Sequence, residues 1–290
     1  TTGTLILNGT DGPLAANMNA ALTMSAINTH GNVALQGNQA IDMTGNVTFY
    51  GPATVDVDIP LHTTGTIILN GAAGPLTVNM NAAFSMEALV SIKDVYFNLP
   101  LHIDGDLVLD TSAISEVSQP TTVQGNLIGS QGQLLLTASL TVKGNMTLSS
   151  GFKLVARAPL IVEGVLSLDE ADMALASTVR AEALVLTEKS HLELQVMAPS
   201  TAKRQGDLTY ITLNNTMTAR GNLSADPTAR DQDTNQIQVA RSQNGQIDQG
   251  WNQVVSTDDD YTASTQVNSN ADGSQTMAMT FALANGVKND

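Results

Sequence analysis

The chain has 290 residues, enough for one extended domain or two compact ones, and carries 27 acidic against 12 basic side chains, a formal charge of −15. That balance gives a phosphate backbone no footprint and repels an anionic bilayer, so neither nucleic acid binding nor direct membrane insertion is expected. Hydrophobic residues make up 42% of the chain but aromatics only 3%, and cysteine is absent. This excludes disulfides and thiolate metal sites and points to a thin aliphatic core.

The first segment is one that returns. Thr1-Thr2-Gly3-Thr4-Leu5-Ile6-Leu7-Asn8-Gly9 recurs as Thr63-Thr64-Gly65-Thr66-Ile67-Ile68-Leu69-Asn70-Gly71, and Gly12-Pro13-Leu14 recurs as Gly74-Pro75-Leu76. An offset of about 62 residues is close to three shorter periods, which suggests duplication of a three-coil block.

The shorter period is a phrase in which an apolar and a polar residue precede glycine and then an alternating strand. It reads Ile103-Asp104-Gly105-Asp106-Leu107-Val108-Leu109, then Val123-Gln124-Gly125-Asn126-Leu127, Val142-Lys143-Gly144-Asn145-Met146 and Val162-Glu163-Gly164-Val165-Leu166. Gly45 and Gly65 fall on the same grid. A step of roughly 19–20 residues predicts stacked coils. Ile103, Val123, Val142 and Val162 form one apolar column, and Leu107, Leu127, Met146 and Leu166 another, so each coil has one face inside and one in solvent. Glycine between strands permits a tight corner. The absence of an apolar stripe at helical spacing argues against helix.

The expected fold is all-β, a parallel β-solenoid of about ten rungs with a C-terminal β-rich cap. Rungs are drawn at about 1–20, 21–40, 41–60, 61–82, 83–100, 101–119, 120–138, 139–158, 159–177 and 178–196, a rod of about 45–50 Å at roughly 4.8 Å per rung. The grid weakens at 21–40, at 83–100 and at 178–196, where Ala183 stands near the expected glycine. Two regions follow: a solenoid over 1–197 and a polar cap or assembly region over 198–290. In the second, 207–213 reads as a strand before the turn signal Asn214-Asn215, and 224–250 reads as a long polar loop. Met277, Met279, Phe281 and Leu283 alternate onto one face of a last strand, and they are the predicted assembly residues.

The glycine-punctuated coil, with the segment from Gly206-Asp207-Leu208-Thr209-Tyr210 to Ala219-Arg220-Gly221-Asn222, resembles the secreted β-helix passengers of Gram-negative autotransporters and related large exoprotein adhesins. The resemblance implies adhesion, aggregation or a fibrous coat at a bacterial cell surface or outside the cell, and carries over no catalytic residue. The end departs from that pattern: Val287-Lys288-Asn289-Asp290 follows no run of membrane-barrel strands.

Candidate sites are weighed against plainer roles. His62 and His102 occupy matching Pro-Leu-His phrases two rungs apart, about 9–10 Å, too far to share an ion bound at about 2.0–2.1 Å. His30 and His191 complete the histidines. Glu163 and Glu182, with Asp104, are the carboxylates a polysaccharide hydrolase or lyase would need. Lys143 interrupts their column, and Trp251, the one tryptophan, lies outside the coils. Asp258, Asp259 and Asp260 are the only candidate metal ligands, for Ca²⁺, though without the spacing of an EF-hand loop. Otherwise no cofactor is expected. Asn46, Asn126 and Asn145, each after a glycine, are expected to bond from rung to rung. The expectation is therefore a non-enzymatic structural or adhesive protein that self-associates, with a host-surface or glycan ligand as a further partner. The alternative is a phage tailspike or secreted β-helix enzyme acting on polysaccharide.

Overall fold

The computed structural model describes the chain except residues 1–2, 21, 81, 83, 93–94, 98–101, 111–113, 196–208, 230–235 and 285–290. Pro100 and Leu101 of the second Pro-Leu-His phrase thus lie outside the described residues, as do 206–208 and the C-terminal Val287-Lys288-Asn289-Asp290. The chain divides into two compact units, 1–144 and 145–290. Both are parallel β-solenoids, about nine turns in all. Among the described residues the only helical turn is a 3-10 turn at Pro227–Ala229.

In the first unit a coil is three short strands separated by corners. Ile41–Met43, Val47–Tyr50 and Ala53–Val57 make one coil, and Leu61–Thr63, Thr66–Asn70 and Leu76–Met80 make the next. Each strand pairs in parallel with its counterpart one coil on, so residues of like position stack. Ile27, Val47, Ile67, Leu89, Leu107 and Leu127 form a continuous column on the second face. None of the six is more than 3% exposed. On the first face Met86, Ile103, Val123 and Val142 stack in the same way. Aliphatic side chains of similar volume fit such columns because each must fill the same slot in every coil.

The corner glycines are selected by proximity, not by backbone angle. Gly45, Gly65, Gly105, Gly125 and Gly144 are absent from the positive-φ glycines of the chain. A Cβ on Gly45 would lie 2.1 Å from the Ser25 carbonyl oxygen, and one on Gly105 would lie 2.0 Å from that of Glu87. The backbone of the preceding coil passes where a side chain would begin. Ser25 and Glu87 occupy the corner in the coils where the glycine grid weakens, and each donates its N–H to the glycine before it, Gly3 and Gly65.

The duplication is visible in three dimensions. Asn8 and Asn70 each accept an N–H bond from two residues on, Thr10 at 3.1 Å and Ala72 at 3.0 Å, and Gly12 and Gly74 share a φ of 154°.

In the second unit Met146, Leu166, Leu184, Met217 and Ile247 stack on one face, and Leu154, Met173, Leu192, Leu223 and Val254 on another. Parallel coils therefore continue beyond residue 208, within the segment whose composition reads as a cap. The missing glycine near Ala183 is a deletion: Val162 pairs with Ala181 and Val165 with Ala183, so Glu163 and Gly164 together face Glu182 alone.

The last coil is closed by an antiparallel hairpin. Gln275–Leu283 pairs antiparallel with Gln236–Ser242, and Tyr261–Ser269 pairs antiparallel with Gln275–Leu283. Reversing strand direction at this point ends the parallel stack.

Candidate functional site

The outward side chains of the first unit's first face form a ladder one residue wide. Thr23, Asp42 and His62 stand on successive coils, and two coils beyond His62 come His102, then Thr122 and Thr141. Thr23, Asp42, His62 and His102 are exposed. His62 and His102 both pair with Ser85 and so lie two coils apart, as their phrases predict. His102 Nε2 lies 3.1 Å from Asp104 Oδ1. Asp104, Gln124 and Lys143 are exposed beside this ladder.

A second outward column runs Asn8, His30, Tyr50 and Asn70. The His30 and Tyr50 rings stack with centroids 4.5 Å apart and planes within 5°. They wall a shallow cleft of about 290 Å³ with Gly9, Thr10, Asn32 and Pro52. Nothing in the local sequence announces this pair, because 20 residues separate rings that share one coil position. The signal was the column itself, Asn8 to Asn70, read across coils.

In the second unit Ile161, Glu163, Arg180 and Asn214 line an open depression of about 390 Å³. Glu182 accepts a hydrogen bond from Asn214 Nδ2 at 3.0 Å. Glu182 is thereby half-buried and tied to the scaffold, while Glu163 is exposed. His191 is half-buried and its Nε2 lies 2.8 Å from Ser224 Oγ, a contact between stacked strands.

The post-glycine residues bind coil to coil, but through the backbone more than as an amide stack. Asn46 Oδ1 accepts from the Thr66 N–H at 3.0 Å and Asn145 Oδ1 from the Val165 N–H at 2.9 Å. Asp106 Oδ1 accepts from both the N–H and the Nδ2 of Asn126, at 2.6 and 3.1 Å. Each oxygen satisfies an amide that the corner removes from the strand ladder.

Asp258, Asp259 and Asp260 form an exposed turn. Asp258 Oδ1 accepts the Asp260 N–H at 3.0 Å, so this oxygen is engaged in an Asx turn. Among the described residues no group of three or more His, Asp or Glu is gathered to hold a metal ion. Exposed ion pairs among the described residues include Lys189 with Glu170, Arg220 Nη2 with Asp248 Oδ2 at 2.5 Å, and Arg241 Nη2 with Asp272 Oδ2 at 3.1 Å. The hydrogen bond from Arg220 holds the Asp248 carboxyl below its usual range, and the Ser274 hydroxyl does the same for Asp272.

Of the predicted assembly residues, Met277, Met279 and Phe281 are buried, at most 1% exposed, and Leu283 is 37% exposed. The first three side chains close the end of their own core. The hairpin strand with one edge unpaired among the described residues is the other one, Tyr261–Ser269, in which no residue is buried.

Each unit is thus a parallel β-solenoid of stacked coils, and the second ends in an antiparallel hairpin. No family model, curated protein or solved structure matches the chain.

Proposed function

We propose that the protein is a non-enzymatic, self-associating adhesive or structural β-solenoid that works at a bacterial cell surface or outside the cell. The observation that carries this reading is the strict register of outward side chains from coil to coil. Thr23, Asp42, His62, His102, Thr122 and Thr141 share one column, with a step of about 4.8 Å per coil. Such a surface favours many weak, repeated contacts over one deep pocket, and affinity then comes from multivalency. The resemblance to autotransporter passengers points the same way.

Beads coated with the purified chain test the reading directly. The expectation is clumping of coated with coated beads, abolished by excess soluble protein. Monodisperse beads at every coating density, with a monomeric protein in sedimentation, would overturn it. Release of reducing ends from capsular polysaccharide, lost in Glu163→Ala, would establish the polysaccharide-active alternative instead.

A further inference from the structure

We infer that the edge strand Tyr261–Ser269 is the self-association surface, and that it pairs antiparallel with the same strand of a second copy about a two-fold axis at Gln266. This rests on the self-associating reading above and gives it an address. The hairpin fixes which backbone groups are open. Asn270 N–H donates to the Ser274 carbonyl at 2.8 Å and Ala284 N–H to the Asp260 carbonyl at 2.8 Å. Those are hydrogen-bonded pairs of the antiparallel ladder, and such pairs alternate along it. Thr262, Ser264, Gln266 and Asn268 therefore bond to the capping strand. Ala263, Thr265, Val267 and Ser269 turn their N–H and C=O the other way, where no strand is paired among the described residues.

The occupant follows from charge and symmetry. The chain carries −15, yet residues 261–269 (Tyr-Thr-Ala-Ser-Thr-Gln-Val-Asn-Ser) contain no charge, proline or glycine. Exposed edges are usually blunted by lysine, proline or a bulge, and none is present here. A second copy is the partner for which this neutral stretch removes an otherwise repulsive encounter. Centring the axis on Gln266 sets Ala263 against Ser269 and Thr265 against Val267, so all four open residues are used, for about eight main-chain bonds. On the inner face, Ala263, Thr265 and Val267 sit beside Phe281, Met279 and Met277 and are only half-buried. The second strand extends that apolar face.

The absence of cysteine makes the test clean, with the full chain as the protein used. In Gln266→Cys the two thiols face each other across the axis in a non-hydrogen-bonded pair, about 4.5 Å between Cα atoms, within disulfide range. Under mild oxidation this variant is expected to form a covalent dimer. Asn268→Cys, whose copies stand about 13 Å apart, is expected to remain single. Thr265→Pro removes an open donor without touching the capping-strand ladder. It should weaken self-association in sedimentation by at least about tenfold while leaving the thermal melt in place. Equal cross-linking of the two cysteine variants, or undiminished association of Thr265→Pro, would overturn the edge pairing and leave the self-associating reading standing. A wild-type chain that stays monomeric at several hundred micromolar would overturn both.

Discussion

Replacing Gly105 by alanine tests the physical reason for the repeated glycine. The new methyl would sit 2.0 Å from the Glu87 carbonyl oxygen, where ordinary contact begins at 3.4 Å. Both atoms belong to main chain or its first substituent, so no rotamer change relieves the clash. The coils must part locally by more than an ångström. The bonds flanking the corner are Asp104 N–H to Met86 oxygen at 2.8 Å and Leu89 N–H to Asp106 oxygen at 3.0 Å. Parting takes both beyond bonding distance, at about 1–3 kcal/mol for each buried group left unsatisfied. The two together cost about 2–6 kcal/mol before any strain is added. Gly3→Ala is the matched control, since nothing lies within 4 Å of its Cβ position and its φ is not positive. It should change stability by less than about 0.5 kcal/mol. Equilibrium urea unfolding followed by far-UV circular dichroism separates the two. Coincident midpoints for both variants would refute the argument that proximity selects the corner glycine.

Other consequences concern buried hydroxyls and acid. Ser91 Oγ is buried without a hydrogen-bond partner among the described residues, so Ser91→Ala should stabilise the fold by about 1 kcal/mol and raise its melting temperature. Ser242 Oγ instead donates to the Asn215 carbonyl and accepts the Gly245 N–H at 3.0 Å, so Ser242→Ala should lower the melting temperature. Asp248 and Asp272 titrate below the unfolded value in the folded chain. Their contribution is present above the usual carboxylate range and is lost as pH falls through the depressed folded values. Melting temperature should thus hold from neutral to mildly acidic pH and then drop, with a shallower drop in Asp248→Asn, as pH-resolved calorimetry would record.

Much of the coil was legible because its selection pressure is local. A corner that admits no Cβ demands glycine each time the backbone returns to it, and a slot of fixed volume demands an aliphatic residue, as Ile103, Val123 and Val142 illustrate. The corners at Ser25 and Glu87 break the spelling but not the geometry, so the grid fades in sequence while the stack continues. Beyond residue 186 the period dissolves for a different reason. Leu184 is followed in its column by Met217 and then Ile247, so the coils lengthen. Alternation alone assigned Met277, Met279 and Phe281 to one face correctly, but it does not tell a solvent face from a core face. The apolar face of that strand caps its own unit. The His30–Tyr50 stack and the neutral edge strand depend on which residues become neighbours after coiling, which one strand's pattern does not contain.

The claim on which all of this depends is that residues about twenty apart lie one coil above another. Nitroxide labels on cysteines placed at Thr122 and Thr141, paired in the parallel register, measure it most directly. Stacked coils at about 4.8 Å predict strong dipolar broadening of the continuous-wave spectrum of the double-labelled protein relative to the sum of the single labels. A double-label spectrum equal to that sum would contradict the solenoid and the surface built on it.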